Sequence, residues 1–274
     1  IVAAVNAVAQ GRCEAVVSAG STGAAMAASL FGLGRISGIT RPAIAVTLPR
    51  ADKPVVIIDG GANSDCTPEM LTQFADMGVA FAKLSLGMED PKVGILSIGE
   101  EEGKGNELVK ETYPLLKQNA EAGKYNFVGN VEGKEVFKDK ADVIVTDGYS
   151  GNIVLKVTEG SQKIASFVIL WASGILSGII DNIPYTATMA PMIHEIELEK
   201  GREFVLPLWW CLSLGACLGG NLTMIGAAAN VIVSENAAKE GYEIGFLQFM
   251  RYGIVTVIIS LLISSLYIYF MFLK

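Results

Sequence analysis

From Phe167 to Ile180 the chain carries no charged side chain, yet Lys156, Glu159 and Lys163 just before it are spaced to leave a wet helix face. The whole stretch, Asp147 to Asp181, reads DGYSGNIVLKVTEGSQKIASFVILWASGILSGIID. It begins as the turn and helix of a water-soluble α/β protein and ends as membrane sequence. Ala172, Ser173, Gly174, Ser177 and Gly178 are small enough for close helix contact in lipid. A single helix rarely changes solvent in mid-course. The pattern therefore predicts a seam near Ser166, with one domain at 1–166 and a second at 167–274.

Charge divides at the same place. Residues 1–166 hold 16 Lys/Arg and 20 Asp/Glu, and residues 167–274 hold 5 and 8. Both parts are acidic, which argues against a nucleic-acid partner, because phosphate neutralisation needs a basic surface. Cys13, Cys66, Cys211 and Cys217 form no CxxC pair and no metal spacing, so they read as free thiols; no metal and no cofactor is expected. The opening IVAAVNAVAQ has no Met and no basic segment, and reads as the back half of an amphipathic helix rather than a signal peptide.

Four times in the first part an apolar strand runs into a Gly-rich turn and then a helix. The strands are EAVVSAG (Glu14–Gly20), VVIIDGGAN (Val55–Asn63), KVGILSIGEE (Lys92–Glu101) and ADVIVTDG (Ala141–Gly148). Short strands are also expected at Ala43–Leu48 and Tyr125–Val128. This alternation predicts an open, mostly parallel α/β sheet, with ligands gathered at the carboxyl ends of its strands. The polar turns lie there. Ser21, Thr22 and Gly23 sit at a helix start, where free N–H groups and the helix dipole can cradle an anion, although an ordinary N-cap has the same look. Asp59 and Asn63 come from DGGAN, and Glu100, Lys104 and Asn106 from GEEEGKGN. Asp147 and Asn152 come from DGYSGN. Lys104, between two glycines, is the best cationic contact for a phosphate. There is no Walker A, no GxGxxG and no Ser-His-Asp set.

The motifs SAGSTGA, RPA (Arg41–Ala43), DGGAN, GEEEGKGNELVKE, FVGNVEGKE and ADVIVTDGYSGNIVLKVTEG occur in the order found in PlsX-type phosphate acyltransferases, which residues 1–166 resemble. The resemblance implies an isocitrate dehydrogenase/phosphotransacetylase-like fold, truncated at both ends relative to the family. It also implies transfer of a fatty acyl group from acyl carrier protein to inorganic phosphate, a homodimer, and association with membrane lipid. Such chemistry must hold an anion and stabilise an oxyanion, without needing a covalent nucleophile. Lys104, Asn106 and Asp147 are then the catalytic candidates. Ser21, Thr22, Gly23, Asp59, Asn63, Glu100 and Asn152 are the candidates for holding phosphate and shaping the site. The chain departs from the family pattern at Ser21, Gly60, Lys134 and Glu135; Lys134 lacks the planar fork of the usual Arg.

The second part has three apolar blocks. Phe167–Ile180 breaks at DNIP, Phe204–Leu218 breaks at GGN before Leu222–Val233, and Tyr252–Leu273 is 22 uncharged residues long. The last is enough to cross about 30 Å of hydrocarbon at about 1.5 Å per residue. Interrupted helices at membrane depth are tolerated where they are buried or line a site. Tyr242–Arg251 reads as an interfacial amphipathic helix, Trp209 and Trp210 as packing or belt residues, and His194 as a loop residue. ILWASGILSGIIDNIPYTATM and LWWCLSLGACLGGNLTMIGAAANVIV closely resemble the last segments of ArsB/NhaD-type permeases in the ion transporter superfamily. That resemblance implies an all-α membrane segment with a re-entrant hairpin, a broken helix and a final span. Asp181, Asn182, Asn221, Thr223 and Asn230 fall on its two motif regions. Three readings follow for the whole: a phosphate acyltransferase, its enzyme domain cytoplasmic, joined to a partial transporter repeat; a transporter-family fragment whose N-terminal part is idle; or an acyltransferase anchored in the membrane that its product enters.

Overall fold

The computed structural model describes residues 1–50 and 52–274. The chain divides into two compact units, residues 1–48 with 54–155 and residues 49–53 with 156–274. The first unit opens with two helices, α1 (Val2–Ala9) and α2 (Thr22–Gly32). Strands β1 (Ala45–Leu48) and β2 (Val55–Ile58) follow, then α3 (Pro68–Leu86), β3 (Lys92–Ser97), α4 (Glu107–Glu121), β4 (Asn126–Glu132) and β5 (Val143–Val145). The strands form one sheet in the order β1-β2-β5-β3-β4. Only the β1–β2 pair is antiparallel.

The sheet is apolar on both faces, as covered parallel strands are. In β2, Val56 and Ile58 face α3 and α4, where they meet Leu71, Phe74, Ala75 and Val79. Val55 and Ile57 face the other way, towards Ile144, Val131, Val136 and Leu155. Helix α3 is bounded by local chemistry: Thr67 Oγ1 accepts from the Met70 N–H at 3.3 Å, Pro68 stands at the first turn, and Gly87 closes the helix at φ 68°.

One expected strand is missing. Glu14–Gly20 forms no strand; Val17 is 97% exposed, and no residue of α2 is buried. An apolar run makes a strand only where a neighbour accepts its hydrogen bonds, and this segment pairs with none of the five strands. The other three strand–turn–helix units form. Of the two extra strands, Ala43–Leu48 shortens to β1, and Tyr125–Val128 lengthens to β4.

Helix α5 is continuous from Gly148 to Ile180, through the place where the sequence changes solvent. It is followed by α6 (Asn182–Lys200), α7 (Arg202–Gly219), a short 3-10 turn at Met224–Gly226, α8 (Ala228–Lys239) and α9 (Phe246–Ile268). A π turn carries α9 on to Leu273. Two predictions fail here. Tyr242–Arg251 is no separate helix, since α9 begins at Phe246 and runs straight on; its apolar spacing is continuous with the long helix that follows. His194 is in α6, 3.7 Å from Glu197 at i,i+3; the Glu, Leu and Lys of HEIELEK are strong helix formers, although their alternation has the period of a strand.

Within the second unit, Tyr185, Ile193, Val205, Leu208 and Leu212 form one core, and Leu170, Cys211, Val257, Leu261 and Ile268 another. Small residues bring helices together: a Cβ at Gly219 would lie 2.2 Å from the Gly174 carbonyl oxygen. Polar groups are satisfied across the same contact, with Ser177 Oγ donating to the Ala216 carbonyl at 2.6 Å. Outward, Val255, Ile258, Ile259, Leu262, Ile263 and Leu266 of α9 are all exposed. Gly148–Ile180 and Phe246–Leu273 are long and apolar enough to cross a membrane by length and composition.

The Phe74 ring is fully buried between α3 and the sheet, so Phe74→Ala removes about 3–5 kcal/mol of packing. Hydrogen exchange on the solubilised full chain should lose protection in β2 and β5. Phe31→Ala, at an 88% exposed position, should leave it unchanged.

Candidate functional site

The loop after β2 is built around one carboxylate. Asp59 is fully buried. Its Oδ1 accepts from the N–H groups of Ile44, Gly61 and Ala62 at 3.1, 3.1 and 2.9 Å. Its Oδ2 accepts from the Asn63 backbone N–H and side-chain Nδ2, both at 2.8 Å. Asn63 Nδ2 also donates to the Pro42 carbonyl at 2.8 Å. Asp59 and Asn63 therefore hold the turn together rather than present free groups.

The start of α5 packs on that turn. The Gly148 N–H donates to the Asn63 carbonyl at 2.7 Å. At Gly151 a Cβ would stand 1.9 Å from the Asp59 carbonyl oxygen, so only glycine permits the approach. Asn152 lies over Gly61, its Cβ 3.4 Å from where a Gly61 Cβ would be. Asp147 serves the helix start: Oδ1 accepts from the Ser150 N–H at 2.8 Å, and Oδ2 from the Ser150 hydroxyl at 2.9 Å.

A cavity of about 270 Å³ opens at the carboxyl ends of β3 and β5, between the starts of α4 and α5. Asn106, Asp147, Ser97, Ser150, Gly105 and Thr146 contribute to its wall. Asn106 caps α4, its Oδ1 accepting from the Val109 N–H at 2.9 Å. Two helix starts thus meet one cavity, whose wall is largely apolar (Leu71, Ile95, Leu96, Ile98, Val109 and Val154), with these polar groups gathered at the strand ends. The Ser97 hydroxyl is buried there and has no hydrogen-bond partner among the described residues.

The remaining candidates are spread out. Lys104 is exposed on the loop above Gly99 and is not part of the cavity wall. Glu100 stands with Glu132 and Glu135 near Lys134 and Lys140, both 3.8 Å from its carboxylate. Ser21 caps α2 by accepting from the Ala24 N–H at 3.4 Å, and Thr22 and Gly23 begin that helix, all three exposed. Ser97 and Ser150 were missed in the sequence. The signal for both was a hydroxyl just where a strand or turn gives way to a Gly-rich segment.

In the second unit Asp181, at φ 85°, caps α6 by accepting from the Ile183 N–H at 3.2 Å, with Asn182 the first helical residue. The break after α7 is stitched by side chains. Thr223 Oγ1 donates to the Gly178 carbonyl at 2.6 Å, and Asn230 Nδ2 to the carbonyls of Gly220 and Thr223 at 2.8 and 3.1 Å. Asn221 Nδ2 donates back to Leu218 at 3.2 Å. These bonds replace what an unbroken helix would supply.

An open sheet with a cavity at its strand ends, set between two capped helix starts, defines an α/β protein with a small-ligand site where such sheets carry one. The chain belongs to the fatty acid synthesis protein family, whose model matches residues 1–172. A citrate transport family model matches residues 143–270, so both cover the start of α5. A phosphate acyltransferase from Desulforamulus reducens is 50% identical over 182 residues, 66% of this chain and 54% of its own. Another, from Heliobacterium modesticaldum, is 54% identical over 160 residues, 58% of this chain and 47% of its own. The chain spans about half the length of the curated relatives it matches. Among solved structures, a phosphotransacetylase from Streptococcus pyogenes aligns at TM-score 0.48 and 21% identity, over 58% of this chain and 54% of its own. The transport-family match and the apolar helices mark the C-terminal part as membrane-associated.

Cys66 lies by this site, and its thiol is pushed up to about 11: burial is the main cause, the Gly148 N–H opposes it, and the charges of Asp59, Asp147 and Asp65 add to it. A raised value keeps the thiol protonated through neutral pH, and the thiolate forms only as pH approaches about 11. Iodoacetamide at pH 8 should therefore label the exposed Cys13 and spare Cys66, with Cys66 labelling rising steeply above pH 10 by peptide mass spectrometry.

Proposed function

We propose that the N-terminal part, residues 1–166, is a phosphate acyltransferase. It would move a fatty acyl group from acyl carrier protein to inorganic phosphate and so supply acyl phosphate for phospholipid synthesis. The observation that carries this reading is the cavity between two helix starts at the ends of β3 and β5, in a chain of the fatty acid synthesis family. A phosphate oxygen attacks the thioester carbonyl, the C–O bond forms, and a tetrahedral oxyanion follows. The C–S bond then breaks, and the proton of the phosphate passes to the departing carrier thiolate. Atoms and charge balance without a protein base, and none is called for.

The start of α4 at Asn106 would hold the anion, with Ser97 and Ser150 beside it and Asp147 orienting Ser150. Lys104, on the loop rim, would approach the anion as a mobile point charge, and Asp59, Asn63 and Asn152 would fix the turns. Ser21, Thr22 and Gly23, at the exposed start of α2, and Glu100, beside Lys134 and Lys140, lie outside the cavity wall; any part they take in phosphate binding is at a distance from it. A homodimer and contact with membrane lipid belong to the same reading.

For residues 167–274 the reading is a permease-like half repeat: α5 and α6 as a re-entrant hairpin with Asp181 and Asn182 at its tip, α7 and α8 as the broken helix, and α9 as a full span. The specific support is the side-chain stitching at the break by Thr223 and Asn230, with Asn221 at its edge. The enzyme part is read as cytoplasmic because it must meet acyl carrier protein there, not from the hairpin, which in such permeases opens to the other side.

The test is formation of acyl phosphate, trapped with hydroxylamine, by the solubilised full chain given acyl carrier thioester and phosphate. We expect turnover, and Lys104→Met should lower kcat/KM by about 100-fold. No acyl phosphate, together with citrate uptake by vesicles holding the chain, would give the transport reading precedence.

A further inference from the structure

Strand β4 does not run evenly beside β3. Val93 pairs with Phe127 but Ile95 pairs with Asn130, so two steps on β3 meet three on β4. The extra residue is accommodated by Gly129 at φ 86°. A bulge of this kind changes which face the following side chain takes. Before it, Phe127 packs towards α3 and α4, and Val128 towards the opposite face. After it, Val131 lies on that opposite face, so Asn130 is turned to the α4 side. In an unbroken strand Asn130 would sit with Val128 in an apolar core.

What the turned amide does is specific. Asn130 is 1% exposed. Its Nδ2 donates to the Glu101 carbonyl at 2.7 Å and to the Lys104 carbonyl at 3.4 Å. Both carbonyls belong to the loop that joins β3 to α4, the loop that carries Glu100, Lys104 and the cap Asn106. Burying an amide costs free energy unless it is used; its Nδ2 contacts both go to one loop, while its Oδ1 is buried with no hydrogen-bond partner among the described residues.

We propose that Asn130 is a positioning residue for the anion site: the β4 bulge aims its amide under the β3–α4 loop and sets where Lys104 and Asn106 stand. The inference rests on the reading that this loop holds the phosphate. It assigns no contact between Asn130 and substrate.

Two variants test it. Asn130→Asp keeps the shape and removes the donors, and Asn130→Ser is too short to reach both carbonyls. In the full chain each should raise the phosphate KM by about tenfold and leave the acyl carrier KM within about twofold. Amides of residues 101–106 should exchange faster while those of β2 and β5 keep their protection. Unchanged phosphate KM in both variants overturns the proposal and leaves the acyltransferase reading intact. Loss of β2 and β5 protection in both variants also overturns it, because Asn130 would then be a residue of the fold alone. If the parent chain makes no acyl phosphate, the transferase reading falls and inorganic phosphate itself becomes the probe. Slowed exchange of residues 101–106 by phosphate in the parent but not the variants still supports the proposal, and an equal effect or none overturns it.

Discussion

The N-terminal unit turns on one buried carboxylate. Asp59 ends β2 with no exposure to solvent, where an ion is costly unless every lone pair is engaged. Its two oxygens collect four backbone N–H groups and one side-chain amide, and these come from Ile44 before β1 as well as from the turn that follows β2. The edge strand, the DGGAN turn and the start of α5 are thereby fixed to one another. The cavity wall supplied by Asp147 and Ser150 depends on that arrangement, since the helix they begin is seated on the turn.

Much of this was legible in the chain. VVII and VIV announce strands buried on both faces, and Thr67-Pro68 and Asn106 announce helix starts, because these residues act locally. What could not be read depends on partners. EAVVSAG has the composition of a strand but pairs with none, and composition does not report pairing. Asp59 is expected from the sequence to help bind phosphate and shape the site; in the structure both of its oxygens are engaged in holding the turn. Yet five donors on one side chain could not be counted from DGGAN. The bulge at Gly129 was equally hidden, because FVGN looks like plain strand until its register against β3 is known. Lys104 shows the reverse case: the sequence makes it the best cationic contact for a phosphate, and its side chain is exposed on the loop, outside the cavity wall.

The expected seam at Ser166 takes an unexpected form. The helix does not stop where the solvent pattern changes; α5 continues from Gly148 to Ile180, and the two family matches overlap across residues 143–172. A helix satisfies its own backbone hydrogen bonds in water and in lipid alike, so a change from charged to apolar spacing leaves the backbone intact. What changes is the side-chain stripe. Past Ser166 the buried positions are Leu170, Ser173 and Ser177, with Gly174 and Gly178 beside them, the pattern of close helix contact.

The contact at Gly151 carries a consequence for how this chain can vary. The Asp59 carbonyl oxygen occupies the space that a side chain's first carbon would need, so one added methyl group displaces backbone rather than a flexible side chain. Core positions such as Val56 can trade one aliphatic shape for another at modest cost. Gly151 has no such neighbour in sequence space: the smallest step available to it already strikes the turn on which the helix rests.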